Sequence, residues 1–335
     1  MIRPTFTAFT VAAICALLAS SPRLAVALDT SGFDCQQLAE RKEPETPAEW
    51  LERSLWAGHC YIFQARAVRI TSEGVRTLAL SHDIENGIER EVASYLDGPA
   101  VVYERHGRIG QGVVSGEADT DAMGKSPTSP SSIMSRLDQH YRISFEGHER
   151  VAGRPSVRLD VEPLDNMRYG HRLWLDRETA LPLKQVLVDI DGQILETFQM
   201  TELAQPRLYE DSVAFGPKHD IPPDPWQPGW LPAGYVPLPL PDSHSVTNTP
   251  LSHRLYSDGL SSFSVFIEPL ISGDRALLPG IHRLGISHAA VRHLRLGERV
   301  MQVVVMGEMP PQVLGRIAAR LEYRPESRRV SAMAQ

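Results

Sequence analysis

The stretch Pro182-Leu-Lys-Gln-Val-Leu-Val-Asp-Ile-Asp-Gly-Gln-Ile-Leu-Glu-Thr-Phe-Gln-Met-Thr-Glu-Leu203 decides the fold class. Two β-favouring runs flank Asp191-Gly192, a dipeptide whose residues tolerate the left-handed backbone that tight hairpin turns need. Val186, Val188 and Ile190 alternate along the first run against Ile194, Phe198 and Met200 on the second, and Lys184, Gln185, Asp189 and Glu196 mark a polar side. A period of two with one apolar side is the pattern of an antiparallel sheet that turns one face to a core.

Working outward, the same period recurs. Runs at 60–70, 75–82, 88–96, 101–105 and 109–115 are split by Gly74, Asn86-Gly87, Asp97-Gly98-Pro99 and Gly107, and runs at 141–151, 155–162 and 169–176 lead into the hairpin. One helix is predicted over 43–57, where Pro44 and Pro47 suit the first turn and Trp50, Leu51, Ser54 and Leu55 share a side before Gly58. Residues 117–132 are polar and read as an irregular excursion or lid, with the glycines at 110–116 spaced wrongly for a nucleotide loop. About nine or ten antiparallel strands with one helix predict a large curved sheet or incomplete barrel. Its inner face is filled by side chains and helices or by an apolar ligand.

Residues 206–250 hold 11 of the chain's 26 prolines, and this break divides the protein. Beyond it, a hairpin over 252–256 and 260–268 turns at Ser257-Asp258-Gly259. Strands at 275–284, 289–294 and 298–307 and a helix over 310–321 complete a smaller α+β domain. The expected organisation is a signal peptide over 1–27, a large β domain over 28–205, a proline-rich linker over 206–229, a second domain over 230–325 and a tail over 326–335.

The 335 residues carry 34 Lys plus Arg against 41 Asp plus Glu, a net charge of −7, which disfavours nucleic acid as a partner. Arg3, the apolar run 5–19 and Ala25-Val-Ala27 have the form of a cleaved export signal. An uncleaved anchor fits less well, because the run is short and is followed by Pro22 and Arg23. Cleavage leaves 32 basic against 41 acidic residues, a net of −9, and leaves Cys35 and Cys60 as a pair in a compartment where disulfides persist. A Cys35–Cys60 bridge and two buried free thiols are the two readings of that pair.

Chemistry is hard to find. The 12 histidines form no HExxH pair, and the chain has no Gly-x-Ser-x-Gly elbow and no Walker loop. Asp176, Asp191 and Asp258 sit in turns, which accounts for them structurally. Arg316, Arg320 and Arg324 recur at helical spacing. Neither metal, cofactor nor catalytic residue is predicted, and the residues by themselves point to an exported binding protein.

Several stretches resemble the MucB/RseB family, periplasmic regulators of the envelope-stress sigma factor. They are Glu89-Arg-Glu-Val-Ala-Ser-Tyr-Leu-Asp-Gly-Pro99, Gly147-His-Glu-Arg-Val-Ala-Gly-Arg-Pro155 and Tyr169-Gly-His-Arg-Leu-Trp-Leu-Asp-Arg-Glu-Thr-Ala-Leu-Pro-Leu183, then Leu231-Pro-Ala-Gly-Tyr235, Tyr256-Ser-Asp-Gly-Leu-Ser-Ser-Phe-Ser-Val-Phe-Ile-Glu268 and Val303-Val-Val-Met-Gly-Glu-Met-Pro310. The resemblance implies a large unclosed β-barrel similar to the lipoprotein carriers LolA and LolB, followed by a smaller α+β domain. It implies binding without catalysis: the protein would hold the periplasmic part of a membrane-spanning anti-sigma factor, shield it from the site-1 protease, and let go when lipopolysaccharide or lipoprotein acyl chains enter the barrel. A homodimer is compatible with this. The expected lipid-facing residues are Ile62, Phe63, Leu78, Leu80, Trp174, Val186, Val188, Phe198 and Met200, each with an ordinary core role as its alternative. The expected partner surface comprises Leu260, Phe263, Phe266, Arg316 and Arg320. A lipoprotein or lipid carrier of the LolA/LolB type is the competing reading, and a periplasmic hydrolase is a third.

Overall fold

A computed structural model describes residues 32–99, 101–107, 130–215, 224–238, 252–270 and 276–324. The expected signal peptide, the run at 109–115, most of the excursion at 117–132, parts of the proline-rich stretch and the expected tail lie outside the described residues. Strand β1 (Gly32–Asp34) and helix α1 (Gln36–Glu40) precede helix α2 (Pro47–Cys60) and strands β2 (Tyr61–Thr71), β3 (Gly74–Glu85), β4 (Ile88–Tyr95) and β5 (Val102–Gly107). Helix α3 (Pro130–His140) leads into β6 (Tyr141–Val151), β7 (Arg154–Pro163), β8 (Gly170–Asp176), β9 (Pro182–Val188) and β10 (Ile194–Leu208). Then come β11 (Ser212–Ala214), β12 (Trp226–Pro228), β13 (Val236–Leu238), β14 (Ser252–Ser257), β15 (Ser262–Pro269), β16 (Gly280–Leu284), β17 (Ser287–Leu296), β18 (Arg299–Gly307), helix α4 (Pro311–Ala319) and β19 (Leu321–Tyr323).

Nine strands form one antiparallel sheet in the order β5-β4-β3-β2-β10-β9-β8-β7-β6. Two meandering arms therefore meet where β2 pairs with β10, from Thr71 opposite Glu196 to Tyr61 opposite Leu208. That long pairing is interrupted by irregularities at Met200/Glu202 and Ala204/Arg207. Bulges increase local twist and bend a strand, which curves the sheet. Gln205, at the second irregularity, has a φ of +40°. Among the described residues, strands β5 and β6 are the edges of this sheet and do not pair with each other, so the barrel is unclosed there, and the expected α+β class with mainly antiparallel strands holds.

Helices α2 and α3 fill the interior of the β6–β10 arm. Trp50, Leu51 and Ala57 of α2 and Met134 and Leu137 of α3 join Val157, Leu159, Val161 and Leu175 of the strands in one core. Thr46 caps α2: its hydroxyl accepts from the Glu49 amide at 3.2 Å, and the Glu49 carboxylate accepts from the Thr46 amide at 3.2 Å. This reciprocal cap moves the helix start from the expected residue 43 to Pro47, and the helix runs on to Cys60. Helix α3 was not foreseen, because Ile133, Met134 and Leu137 supply only a short apolar stripe beside a serine- and proline-rich run.

Strand β9 departs from the one-sided pattern. Leu183 and Leu187 are buried as well as Val186 and Val188, because Leu187 meets Tyr169, Leu195 and Ile286 on the far side of the sheet. Ile190 and Ile194 flank the hairpin turn and stay exposed at 45% and 59%.

The C-terminal sheet has the order β13-β14-β15-β18-β17-β16, with α4 on one face. Val313, Leu314 and Ile317 pack on Val265, Ile267, Val303 and Val305. The last carbonyls of α4 are satisfied by Arg292, which donates to Ala318 at 3.2 Å and Ala319 at 2.6 Å. Part of the stretch expected to be a linker is strand. Residues 206–208 end β10, β11 pairs with β1, and β12 pairs with β19, so backbone pairing holds much of the described proline-rich segment.

A third small core surrounds the disulfide between Cys35 and Cys60, whose Cα atoms are 5.4 Å apart. Phe33 stacks on Trp56 at 3.7 Å, and Leu38, Ile84 and Val213 close over them. On the chain-entropy account, a loop of this length contributes about 3.5 kcal/mol by restricting the unfolded chain. Replacing both cysteines by alanine is expected to lower the unfolding free energy by roughly 2–4 kcal/mol in a urea titration. Hydrogen exchange should show β1 losing protection before the nine-stranded sheet. An unchanged unfolding midpoint would contradict this account.

Candidate functional site

The most heavily built polar cluster lies where the two sheets meet. Its nucleus is the turn Ser257-Asp258-Gly259-Leu260-Ser261. One Asp258 oxygen, Oδ1, accepts from the amides of Leu260 at 3.0 Å and Ser261 at 2.9 Å, the local pattern that makes aspartate a turn former. The other, Oδ2, reaches the N-terminal lobe, accepting from the Tyr141 hydroxyl at 2.9 Å and from Arg168 Nη1 at 3.0 Å. Gly259 has a φ of +108°, and a Cβ there would lie 2.6 Å from Ile133 Cγ2 of α3, so both backbone and space require glycine.

Arg168 is fully buried. It pairs with Asp165 through Nε at 3.2 Å and Nη2 at 3.1 Å, and Nη2 also donates to the Ala233 carbonyl at 2.7 Å. The rings of Tyr141 and Tyr235 each lie 5.4 Å from its guanidinium carbon, a cation–π sandwich. Tyr235 is anchored in turn by a hydroxyl–hydroxyl hydrogen bond with Ser261. Burial, followed by the charge of Asp258, pushes the Tyr141 and Tyr235 hydroxyls well above the usual phenol range, so both keep their protons. Gly234 approaches so closely that a Cβ would lie 2.3 Å from His140 Cδ2. Apolar contacts extend the joint: Met167 packs on the C-terminal core, Leu260 on the N-terminal core, and Ile286 on Tyr169 and Leu187.

Of the expected lipid-facing residues, Trp174, Val186, Val188 and Met200 are buried in the main core, with Phe63, Leu80 and Phe198 half-buried against it. Leu78 is buried opposite Ala67 on the neighbouring strand, and Ile62 belongs to the disulfide core. Seven of the nine thus share one apolar interior, which α2 and α3 fill and against which Leu260 packs. Beside it, a cleft of about 760 Å³ opens between the β2–β5 arm and the β16–β17 turn, lined by Arg69, Arg76, Tyr95, Tyr103, Val75 and Ile286 among others.

The five expected partner residues are not brought together. Leu260 lies in the joint, and Phe263, 1% exposed, is closed within the C-terminal core against Tyr235 and Tyr256. Neither offers a free surface in this arrangement. Phe266 stacks on His253 at 4.1 Å, and strand alternation places it on the face opposite the α4-covered Val265 and Ile267. Arg316, on α4, lies over the Trp230 ring at 3.8 Å, and Arg320 is the exposed residue that caps the same helix. Tyr141, Arg168 and Tyr235 were not singled out from sequence. The signals present were an arginine three residues after Asp165, a tyrosine opening the run at 141–151 and another closing the Leu231–Tyr235 motif, none of which says that Arg168 and Asp258, 90 residues apart, are partners. Among the described residues, no group of three His, Cys, Asp or Glu is placed to hold a metal ion, and no helix is long and apolar enough to cross a membrane.

Removing one member of a buried ion pair leaves the other charge uncompensated and costs about 3–5 kcal/mol. Arg168→Met is expected to lose that much in chemical unfolding, and Arg168→Met with Asp258→Asn should recover part of it. His171 behind the joint gives a pH dependence. Its Nδ1 contacts Gln185 Nε2 at 3.1 Å, its Nε2 has no partner among the described residues, and burial pushes its pKa down to about 4. The unfolded chain takes up this proton near pH 6.5 and the folded chain only near pH 4. Stability is therefore complete above pH 6.5 and falls through that window as pH is lowered, by about 3 kcal/mol. His171→Gln should flatten that limb of a pH series of urea titrations.

Comparison with known proteins gives the same picture along the chain. The MucB/RseB N-terminal domain matches residues 46–228 and the MucB/RseB C-terminal domain matches residues 220–322. The sigma factor AlgU regulatory protein MucB of Pseudomonas aeruginosa is 33% identical over 299 residues, covering 84% of this chain and 91% of that protein. The sigma-E factor regulatory protein RseB of Salmonella typhimurium is 28% identical over 288 residues, covering 78% and 86%. Among solved structures, the Pseudomonas aeruginosa MucA/MucB complex aligns with a TM-score of 0.62 at 31% identity, covering 83% of this chain and 99% of that chain. A crystal structure of MucB aligns at 0.57 and 31% identity, covering 84% and 98%. With both domain families matched in order and a relative at this identity over most of its length, the chain belongs to the MucB/RseB family of sigma factor regulatory proteins.

Proposed function

We propose that this protein is an exported, non-enzymatic regulator in the periplasm. It holds the periplasmic part of a membrane-spanning anti-sigma factor, shields that part from the site-1 protease, and releases it when acyl chains of lipopolysaccharide or lipoprotein bind the nine-stranded lobe. The observation that carries the reading is the likeness to a MucB solved together with MucA, of which this chain matches 99% of the aligned chain's length. Supporting it is an open, apolar-lined sheet joined to a second lobe through one buried cluster, so a ligand of one lobe has a physical route to the other.

The mechanism is linkage between two ligands. Acyl chains that prefer an arrangement unable to hold the partner lower the affinity for it, and the partner lowers the affinity for acyl chains by the same factor. Turning a 99:1 population to 1:99 takes about 5.5 kcal/mol of differential binding. At about 0.8 kcal/mol per buried methylene, roughly seven methylenes suffice.

The test uses the mature chain, residues 28–335, and the periplasmic segment of the anti-sigma factor from the same organism, titrated with lipopolysaccharide or an acylated lipopeptide. Tight binding that the lipid displaces is expected in calorimetry, together with slower site-1 cleavage of the bound segment. Acyl-chain binding without any affinity for the segment would overturn the regulator and leave a lipoprotein carrier.

A further inference from the structure

The joint sets an apolar side chain of the C-terminal lobe against the apolar core of the nine-stranded lobe. Leu260, partly buried, packs against the main core of the nine-stranded lobe, which is built from α2, α3 and the strands. It is carried by the tight Ser257–Ser261 turn, which is pinned on one side by Asp258 on Arg168 and Tyr141 and on the other by Gly259 against Ile133. The turn is stiffened from within: the Ser257 hydroxyl donates to the Ser261 carbonyl at 2.8 Å and accepts from the Gly259 amide at 2.9 Å.

We infer that this turn is an internal plug, and that an acyl chain enters the nine-stranded lobe by expelling Leu260 and separating Asp258 from Arg168 and Tyr141. The inference rests on the acyl-release reading above and names the element that couples the two ligands. Chain and plug compete for the same apolar interior, so occupancy by one is loss of the other. The plug joins β14 to β15, and β15 pairs with β18 in the C-terminal sheet, so the turn cannot leave without moving that sheet. The exit is also reversible by design of the charges. Arg168 keeps its two contacts to Asp165 on its own lobe when Asp258 departs, so no buried guanidinium is left without a carboxylate. Leu260 therefore sets a threshold: weakly bound or short chains fail to displace it, and longer ones succeed.

A cross-link tests this. A Cβ built on Gly259 lies 3.3 Å from Ile133 Cβ, close to the separation of bridged cysteines, so Ile133→Cys with Gly259→Cys locks the plug when oxidised. Because residue 259 has a positive φ, the reduced form of the same full-length variant is the reference. Fluorescence anisotropy is read with two probes, a dye-labelled dipalmitoylated CSK4 peptide and dye-labelled lipopolysaccharide. The oxidised form is expected to bind at least tenfold more weakly than the reduced form to whichever probe the wild type binds. Equal affinity of the two forms overturns the plug and leaves the acyl-release reading standing. Failure of the wild-type protein to bind either probe overturns that reading and the plug with it. If the double variant does not fold, Leu260→Ala decides: about tenfold tighter probe binding is expected, and unchanged or weaker binding overturns the plug.

Discussion

A guanidinium buried without any exposure needs charge and hydrogen bonds on every side, and Arg168 finds them only where the two lobes touch. Asp165 comes from the same segment, Tyr141 from the junction of α3 and β6, Ala233 and Tyr235 from the segment that enters the second lobe, and Asp258 from the β14–β15 turn. Burying a charge is costly unless it is paired and bonded, so the joint is most stable with every one of these groups in place. Out of this register Asp258 loses Arg168 and Tyr141, and Arg168 keeps only Asp165. Two glycines enforce the same register sterically, since side chains at 234 and 259 would strike His140 and Ile133.

The nine-stranded sheet is unequally filled. Helices α2 and α3 occupy the β6–β10 arm, while the β2–β5 arm keeps exposed apolar side chains such as Val75, Val102 and Tyr103 and borders the cleft against the β16–β17 turn. An antiparallel sheet can leave one face wet, but an open edge with apolar residues is ordinarily covered or used. The disulfide core at the other end of the sheet holds β1 and β11 together independently of the main core. Strands and helices close on one another through most of the molecule, and the Arg168–Asp258 pair ties the two lobes where they meet.

Much of the fold was legible in the sequence. The alternation along 141–203, the Asp-Gly turns and the change in proline content give a large antiparallel sheet followed by a smaller α+β lobe, because period-two burial and turn chemistry are local properties of the chain. The misses have local causes too. Thr46 and Glu49 outcompete Pro44 as the start of α2, the stripe in α3 is too short to stand out, and β9 is buried on both sides because another lobe covers its second face.

The site was less legible, for a different reason. Asp258 in Ser-Asp-Gly is accounted for by its turn, which uses one carboxylate oxygen; the partners of the other come from 90 and 117 residues away. Phe263 reads equally well as an exposed contact or a core residue until the strand is placed under α4. The sequence by itself determined the strands, their turns, the pair of cysteines and the family motifs, since each depends on neighbours along the chain. Only the tertiary structure decided that those motifs meet as one buried joint, that Leu260 packs against the other lobe, and which face each strand presents, because desolvation and long-range pairing are set by what lies across space.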